Sequence, residues 1–291
     1  MRITGIVKCE RCLFMKKLYF VVISKKTFLR LSVAASLGVL LICSCIAFVS
    51  GNKSLSLVTN GSPLIKEGRK LAIIIDDFGS GRQGIEEMMS IDRHLTFAVM
   101  PFSAHSQEDA KAAHEKGYEV IVHLPMEPNH GKRSWLGPRP ILAGMKEEEV
   151  RQIVRDAFAD VPFAAGANIH MGSKASSDEC IVSAILDIIK EKDLYFVDSR
   201  TADHPIGKKV ADARGIRCYD RNVFLDGQQP KSFVKGRLAE AADMAVKKGY
   251  AVAIGHVGIE GGKVTAEAIR EMLPEFDRRN IEMVYVSELD E

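Results

Sequence analysis

Eight short apolar runs recur along the chain from residue 71 onward, and most are rich in β-branched or aromatic residues. They cover residues 71–75, 95–100, 118–122, 164–169, 194–197, 216–219, 250–254 and 281–286. Several of these runs are nearly continuous and do not alternate with polar residues. They therefore predict strands whose two faces are both buried, as in a parallel sheet.

Longer amphipathic segments separate these runs and predict helices. They lie near residues 83–90, 105–116, 146–158, 177–191, 206–214, 231–248 and 264–278. Gly117 and Gly249 follow two of them, where a helix commonly ends, and Ser177 is the predicted N-cap of the fourth. This alternation predicts an α/β fold with a parallel sheet. The pattern allows either a closed or distorted (β/α) barrel or an open doubly wound sheet.

Residues 124–145 form the longest segment without a periodic pattern, and four of them are prolines. We predict a loop over one end of the sheet, where functional sites commonly lie. This loop carries the only tryptophan of the chain, Trp135. Its indole would either stack on a sugar ring or anchor the loop against the domain.

The N-terminal part of the chain has a different pattern. Residues 31–49 include no charged side chain, and eight of the nine charged residues before them are basic. As a helix this run would span about 28 Å, close to the thickness of a hydrocarbon core.

We therefore predict a basic cytoplasmic segment (1–30), a transmembrane signal anchor or signal peptide (31–50), a linker (51–69) and an extracytoplasmic domain (70–291). Cleavage, lipid attachment at Cys45 and a start at Met15 remain open from the sequence.

Composition and charge narrow the class of protein only slightly. Apolar residues make up 46% of the chain, charged residues 27%, and the net charge is +2. These are values of an ordinary globular protein, and they give no case for a nucleic-acid partner. Of the six cysteines, only Cys180 and Cys218 lie in the predicted domain. They would form one disulfide or remain two separate thiols.

Acidic and imidazole side chains follow five of the predicted strands. They are Asp76 with Asp77, His123, His170, Asp198 and His256. Because the carboxyl ends of parallel strands meet at one edge of the sheet, we expect these side chains to lie close together. Two adjacent buried carboxylates are costly unless a cation holds one of them. Carboxylate and imidazole together suit zinc or a similar divalent metal.

Other polar residues extend this predicted rim. Glu127 lies four residues after His123, in a proline-rich stretch that excludes a regular helix. Arg200 follows Asp198 by two residues, and Arg221 and Asp226 follow the sixth apolar run. We predict Glu127 as a further candidate metal ligand. Arg221 and Asp226 would either contact substrate or form an ordinary surface ion pair.

Five short motifs occur in order along residues 70–288. They are Ile-Ile-Asp-Asp-Phe-Gly at 74–79, His-Leu-Pro-Met-Glu-Pro at 123–128, His-Met-Gly-Ser at 170–173, Asp-Ser-Arg-Thr at 198–201 and Ile-Gly-His at 254–256. In combination they resemble the divergent polysaccharide deacetylases, distant relatives of the NodB-type polysaccharide deacetylases. The resemblance implies a NodB-like distorted (β/α) barrel of about seven parallel strands and a divalent metal cofactor, zinc being the first candidate.

The resemblance also implies roles for individual residues. It maps Asp76 onto the general base, Asp77 onto a metal ligand and His256 onto the general acid, with Asp198 near the catalytic rim. His123 is similar to the first of two metal-binding histidines in the NodB-type enzymes.

The second of those histidines has no counterpart in this sequence, because Glu127 occupies its position. Either Glu127 replaces that ligand, or His170 reaches the metal from the next strand. Trp135, Arg200, Arg221 and Asp226 are the predicted substrate-binding residues.

These implications predict a metal-dependent hydrolase of the cell envelope that deacetylates an N-acetylated polysaccharide or a peptidoglycan-like glycan. It would act in the periplasm or at the cell surface and would reach the membrane only through its N-terminal segment. One alternative is a hydrolase of another amide or ester. Another is a non-catalytic envelope module that binds a glycan or a protein through a degenerate deacetylase fold.

Overall fold

The computed structural model describes residues 68–228, 230–258 and 261–289 of the chain. The predicted basic segment, the predicted signal segment and nearly all of the predicted linker lie outside the described residues. Within the described ranges, no helix has both the length and the apolar character needed to cross a membrane.

The described residues alternate between strands and helices as the apolar pattern predicts, except that no apolar run predicted the short strand Val223–Phe224, which follows the preceding strand without a helix. The strands are β1 (Arg69–Phe78), β2 (Thr96–Val99), β3 (Glu119–Met126), β4 (Ala164–Met171), β5 (Tyr195–Asp198), β6 (Cys218–Asp220), β7 (Val223–Phe224), β8 (Tyr250–His256) and β9 (Ile281–Val284). The helices are α1 (Ile85–Met88), α2 (Ser106–Glu115), α3 (Glu147–Asp160), α4 (Glu179–Glu191), α5 (Gly207–Arg214), α6 (Lys231–Lys248) and α7 (Gly262–Arg278).

All the strand pairs are parallel, which confirms the predicted parallel sheet. The strand order is β6-β5-β4-β3-β2-β1-β8-β7, with β9 beside the start of β1. One short segment connects the two edges of this sheet. Arg221 N donates to Asp198 O of β5 at 2.9 Å, and the next residue, Asn222, donates to Val252 O of β8 at 2.8 Å. The sheet therefore curls into a distorted, partial barrel.

Two hydrophobic cores lie on opposite faces of the curled sheet. On β1, the side chains of Leu71, Ile73 and Ile75 belong to the outer core that packs against the helices. Ala72 and Ile74 belong to a smaller inner core enclosed by the sheet. Because successive side chains of a strand point to opposite faces, both sets must be apolar. This arrangement explains why the runs in the sequence are continuous.

Two local features resolve or correct the sequence predictions. The side chain of Asp178, and not that of Ser177, caps α4, because it accepts hydrogen bonds from the amides of Cys180 and Ile181. Cys180 is exposed and Cys218 is buried in β6, and both are free thiols. Of the two alternatives left open by the sequence, the structure therefore has two separate thiols.

Two glycines offer a matched test of how closely the strands pack. A Cβ atom added to Gly166 of β4 would lie 2.7 Å from the carbonyl oxygen of Tyr195 on the neighbouring strand. We expect Gly166→Ala to lower the free energy of unfolding by about 1–3 kcal/mol, because backbone must move.

Gly236 of α6 is the control, because an added Cβ would meet nothing within 4 Å. Gly236→Ala should raise the free energy of unfolding by about 0.5–1 kcal/mol through its better helix propensity. Urea unfolding measures both variants. If the free energy of unfolding changed in the same direction in both variants, the packing described for β4 would be contradicted.

Candidate metal centre and active site

A cavity of about 160 Å³ opens at the carboxyl ends of the strands. Strand alternation explains which side chains line it. Ile74, Ile121 and Ile254 point into the inner core. The residues two positions further along the same strands must point the same way, toward the mouth of the curled sheet. Those residues are Asp76, His123 and His256, and all three line the cavity.

Asp77 reaches the cavity by a different route. Strand alternation alone would turn its side chain toward the outer face. Its backbone has φ 71°, in the left-handed region, which costs a residue with a Cβ about 1–2 kcal/mol. This turn directs the carboxylate toward His123 and His170. Local strain of this kind often marks a functional position.

Three ligand-type atoms converge in the cavity. Asp77 Oδ1 lies 3.1 Å from His170 Nδ1 and 3.5 Å from His123 Nε2. The two imidazole nitrogens are 3.1 Å apart. Ligand atoms around a tetrahedral zinc ion, with bonds of roughly 2.0–2.1 Å, lie about 3.3 Å from one another. The triangle formed by Asp77, His123 and His170 therefore has the size that a divalent metal requires.

Neighbouring groups fix the tautomer of each neutral imidazole. Asn168 Nδ2 donates to Asp76 Oδ1 at 2.7 Å, so Asn168 Oδ1 faces His123 Nδ1, also at 2.7 Å. An amide oxygen only accepts, so His123 Nδ1 carries the proton and Nε2 presents a lone pair. His170 Nε2 lies 3.1 Å from the carbonyl oxygen of Trp135, so its Nδ1 likewise presents a lone pair.

Asp77 Oδ1 completes this set of inward-facing acceptors. It is buried, and among the described residues no donor reaches it with hydrogen-bond geometry. An unpaired buried carboxylate oxygen is costly, and lone pairs at this separation repel one another. A cation bound between the three atoms would remove both penalties. Asp77, His123 and His170 therefore fit a divalent metal.

The charges of the cavity are consistent with a cation site. Burial by itself would raise the pKa of Asp77, but the neighbouring His123 and His170 hold it well below its ordinary value. Burial would likewise lower the pKa of His123, but the carboxylates of Asp76 and Asp77 outweigh it and raise this pKa. In the absence of metal, protons on the imidazoles would thus supply the positive charge.

Asp76 lies between this triangle and His256. Its Oδ2 is 3.7 Å from His123 Nε2 and 4.0 Å from His256 Nε2. Burial raises the pKa of Asp76, and the nearby histidines only partly oppose this effect. A carboxylate with a raised pKa beside a metal site can accept a proton from water.

His256 is held by a carboxylate behind it. Asp226 Oδ1 lies 2.8 Å from His256 Nδ1, and Asp226 Oδ2 accepts from His256 N at 2.7 Å and from Thr265 Oγ1 at 2.8 Å. Burial alone would lower the pKa of His256, but Asp226 outweighs it and raises this pKa to about 10. His256 is therefore protonated at neutral pH.

Asp226 was predicted to contact substrate, and the structure corrects this. Its side chain is 5% exposed, and both of its oxygens are used within the protein. Gly261 also approaches closely, because an added Cβ there would lie 2.0 Å from Asp226 Oδ2. Asp226 positions His256 and does not face the cavity.

Two further predicted residues lie outside the cavity. Glu127 accepts hydrogen bonds from Lys174 Nζ at 2.7 Å and from Ala143 N at 2.8 Å. It does not belong to the metal-binding triangle, so His170 and not Glu127 takes the third position.

Asp198 accepts hydrogen bonds from the backbone amides of Arg200 and Gly207. The preceding Val197 points to the inner core, so strand alternation turns Asp198 away from the mouth, and Asp198 does not line the cavity.

The predicted substrate-binding residues are only partly brought together. Arg221 lines the cavity, although its guanidinium also donates to the carbonyl oxygens of Ser199 and Arg200. The side chain of Arg200 pairs with Asp220 at 3.0 Å and does not line the cavity. Trp135 is 56% exposed, and its carbonyl oxygen, not its indole, contacts His170.

Asn168 is the site residue that the sequence reasoning missed. An asparagine at a strand end carries no signal by itself. Its position two residues before His170, however, places both side chains on the same face of β4. Strand alternation could therefore have identified it.

Comparisons with known proteins agree with this fold. Residues 73–289 match the family model described as divergent polysaccharide deacetylase, which confirms the resemblance inferred from the five motifs. The crystal structure of an uncharacterized protein, ATU2773 of Agrobacterium tumefaciens C58, superposes with a TM-score of 0.71 at 21% identity. It covers 76% of this chain and 89% of that one. At this identity the similarity shows the fold alone.

Two curated relatives are similar in sequence. The uncharacterized protein YibQ of Escherichia coli K12 is 34% identical over 201 residues, which cover 69% of this chain and 62% of that protein. An uncharacterized protein of Haemophilus influenzae Rd is 32% identical over 187 residues, which cover 64% of this chain and 66% of that protein. This chain therefore spans less than two thirds of the length of each relative.

Two substitutions of Asn168 separate its contacts. Asn168→Ala removes the acceptor of His123 Nδ1, and we expect metal affinity to fall about 10- to 100-fold. Asn168→Asp keeps that acceptor but loses the hydrogen bond to Asp76, so most of the affinity should be retained. Competition titration with a chelating indicator measures the metal affinity of both variants and of the wild type. Equal affinities for wild type and Asn168→Ala would contradict the orienting role of Asn168.

Proposed function

Because the chain belongs to the divergent polysaccharide deacetylase family, we propose that it is a metal-dependent hydrolase that removes the acetyl group from an N-acetylated polysaccharide. Water cleaves the amide bond in this reaction, and the products are acetate and a free amine on the sugar. The observation that carries the proposal is the convergence of Asp77, His123 and His170, flanked in one cavity by Asp76 and His256.

Asp77, His123 and His170 would hold the metal, for which zinc is the first candidate. Three protein ligands of this type are common in catalytic zinc sites. When bound, the metal would polarise the acetyl carbonyl and acidify water.

Asp76 is suited to act as the general base. Its Oδ1 is fixed by the hydrogen bond from Asn168, and its Oδ2 faces the space between His123 and His256. Water that enters there would lose its proton to Asp76 as it attacks the acetyl carbonyl. The raised pKa of Asp76 supports this step, because a stronger base takes the proton more readily.

His256 is suited to act as the general acid. Its Nε2 lies 4.0 Å from Asp76 Oδ2 and lines the same cavity. Asp226 keeps its ring protonated and fixes the ring orientation through Nδ1. His256 would donate the Nε2 proton to the amine nitrogen as the amide bond breaks.

An N-acetylated glycan of the envelope is the proposed substrate, in the periplasm or at the cell surface. This location rests on the predicted signal segment in residues 31–50, and attachment to the membrane through that segment stays a prediction. The cavity at the mouth of the curled sheet would accept the acetamido group of one sugar.

Metal content and acetate release together test the proposal. Purified wild-type protein should bind close to one equivalent of zinc or another divalent metal and should release acetate from N-acetylated oligosaccharides. Asp77→Ala and His123→Ala should lose nearly all of the metal and the activity, because each removes a ligand.

Glu127→Gln is the matched control, because its carboxylate lies outside the triangle, and this variant should keep its metal. Failure of wild-type protein to bind metal under any loading condition would contradict the hydrolase. A non-catalytic glycan- or protein-binding module would then be the better interpretation.

The pair formed by His256 and Asp226 predicts a pH dependence. The pKa of His256 is raised, so the acid form persists at neutral pH and is lost only as the pH rises toward about 10. Asp226→Asn removes the charge that stabilises the imidazolium. The alkaline limb of the kcat profile should therefore move to lower pH, and kcat should fall by about 10²- to 10⁴-fold.

A profile of kcat against pH for both proteins measures this shift. Thr265→Val is the control, because it removes one hydrogen bond to Asp226 and leaves the charge in place. An unchanged alkaline limb in Asp226→Asn would exclude His256 as the general acid.

A further inference from the structure

The loop after β3, which contacts His170 through the carbonyl oxygen of Trp135, is strongly basic. Residues 128–146 contain no aspartate or glutamate. The same residues contain five side chains that can carry positive charge: His130, Lys132, Arg133, Arg139 and Lys146. The net charge of the whole chain is only +2, so this concentration is local.

Part of this loop borders a groove of about 260 Å³. Lys132 and Arg133 lie along the groove, together with Glu127. The carboxylate of Glu127 is already paired with Lys174 Nζ at 2.7 Å. It therefore does not neutralise the other two cations, and the groove keeps a net positive charge.

Lys132 and Arg133 differ from most cations of the domain. Within the part of the chain that the structure describes, neither forms an ion pair, whereas Arg139 on the same loop pairs with Asp156 at 2.7 Å. Lys132 Nζ instead lies 5.9 Å from the centre of the Trp135 ring. Two adjacent exposed cations without carboxylate partners are available to an anionic ligand.

The groove is coupled directly to the proposed metal centre. Arg133–Trp135 form a single 3₁₀ turn that follows Lys132. The carbonyl oxygen at the end of this turn, that of Trp135, lies 3.1 Å from Nε2 of His170. One turn of backbone therefore separates the two cations from a proposed metal ligand.

We propose that the groove lined by Lys132 and Arg133, together with the exposed Trp135 beside it, binds an anionic substituent, a carboxylate or a phosphate, on the glycan next to the sugar that loses its acetyl group. This inference rests on the proposed function, because it assumes that the glycan extends from the cavity along the loop. Trp135 stacks on a sugar ring, and Lys132 and Arg133 pair with the anion. A neutral glycan would leave both cations without a partner.

Fluorescence of Trp135 provides a direct binding measurement, because it is the only tryptophan in the chain. The full-length, zinc-loaded protein is titrated with three tetrasaccharides. These are a neutral N-acetylglucosamine tetramer, an alternating tetramer of N-acetylglucosamine and N-acetylmuramic acid that carries carboxylates, and a 6-phosphorylated N-acetylglucosamine tetramer. We expect at least one anionic tetramer to bind about three- to tenfold more tightly than the neutral one. The preference should shrink as the salt concentration rises.

A double variant tests whether the two cations cause the preference. Lys132→Gln combined with Arg133→Gln should reduce the preference for the anionic tetramer to less than about twofold. Lys247→Gln combined with Lys248→Gln is the matched control. It makes the same change in net charge at the end of α6, where both side chains are exposed. This end of α6 leads into the amino end of β8, away from the carboxyl ends of the strands where the cavity opens. This control should keep the wild-type preference.

The outcomes separate this inference from the hydrolase itself. The carboxylate and phosphate tetramers identify which anion the groove prefers, and a preference for either supports the proposal. Equal binding of all three tetramers, or an equal loss of preference in both double variants, would overturn it. Acetate release, measured in parallel, reports the hydrolase independently. If acetate is released from all three tetramers with equal KM, the protein is a hydrolase but the groove does not bind anions. If the protein prefers an anionic tetramer but releases no acetate, the groove binds anions but the proposed hydrolase is wrong.

Discussion

The alternation of side chains across a curled parallel sheet is the constraint on which the rest of this structure depends. Each strand must supply apolar side chains to an outer core beneath the helices and to an inner core enclosed by the sheet. Once Ile74, Ile121 and Ile254 occupy the inner core, the residues two positions further on must face the mouth of the curl. The requirement to bury both faces of the sheet therefore also selects the side chains that form the site.

The same constraint explains why the one exception is informative. Asp77 enters the cavity only because its backbone adopts a left-handed conformation. Its strand, β1, pairs with β8 as far as Asp76 and with β2 at Phe78, so the residues on either side of Asp77 are held by neighbouring strands. A central strand of this kind can tolerate local strain that an edge strand would relieve. The strain brings a carboxylate oxygen to two imidazole nitrogens, an arrangement that is unfavourable until a cation binds.

A second layer of hydrogen bonds prepares the cavity for chemistry. Asn168 connects Asp76 to His123, and Asp226 holds His256. The first contact fixes which nitrogen of His123 carries a proton, the second keeps His256 protonated, and both are made before any substrate arrives. Preorganised groups of this type need little rearrangement during a reaction. The basic loop extends the same principle beyond the cavity, because the backbone of Trp135 connects the groove to His170.

The sequence by itself determined the class of fold, the order of strands and helices and the family. Continuous apolar runs and five ordered motifs are local properties of the chain, and the parallel sheet and the match over residues 73–289 confirmed them. It also singled out Asp76, Asp77, His123 and His256 as candidates, because each lies directly after an apolar run or within two residues of its end. Only the tertiary structure decided between Glu127 and His170, turned Asp198 outward and placed Asn168 and Asp226 behind the histidines. These choices depend on the face to which each side chain points and on contacts between distant strands, such as the hydrogen bond between Asn168 and Asp76, which lie 92 positions apart. Spacing along the chain carries no record of such contacts.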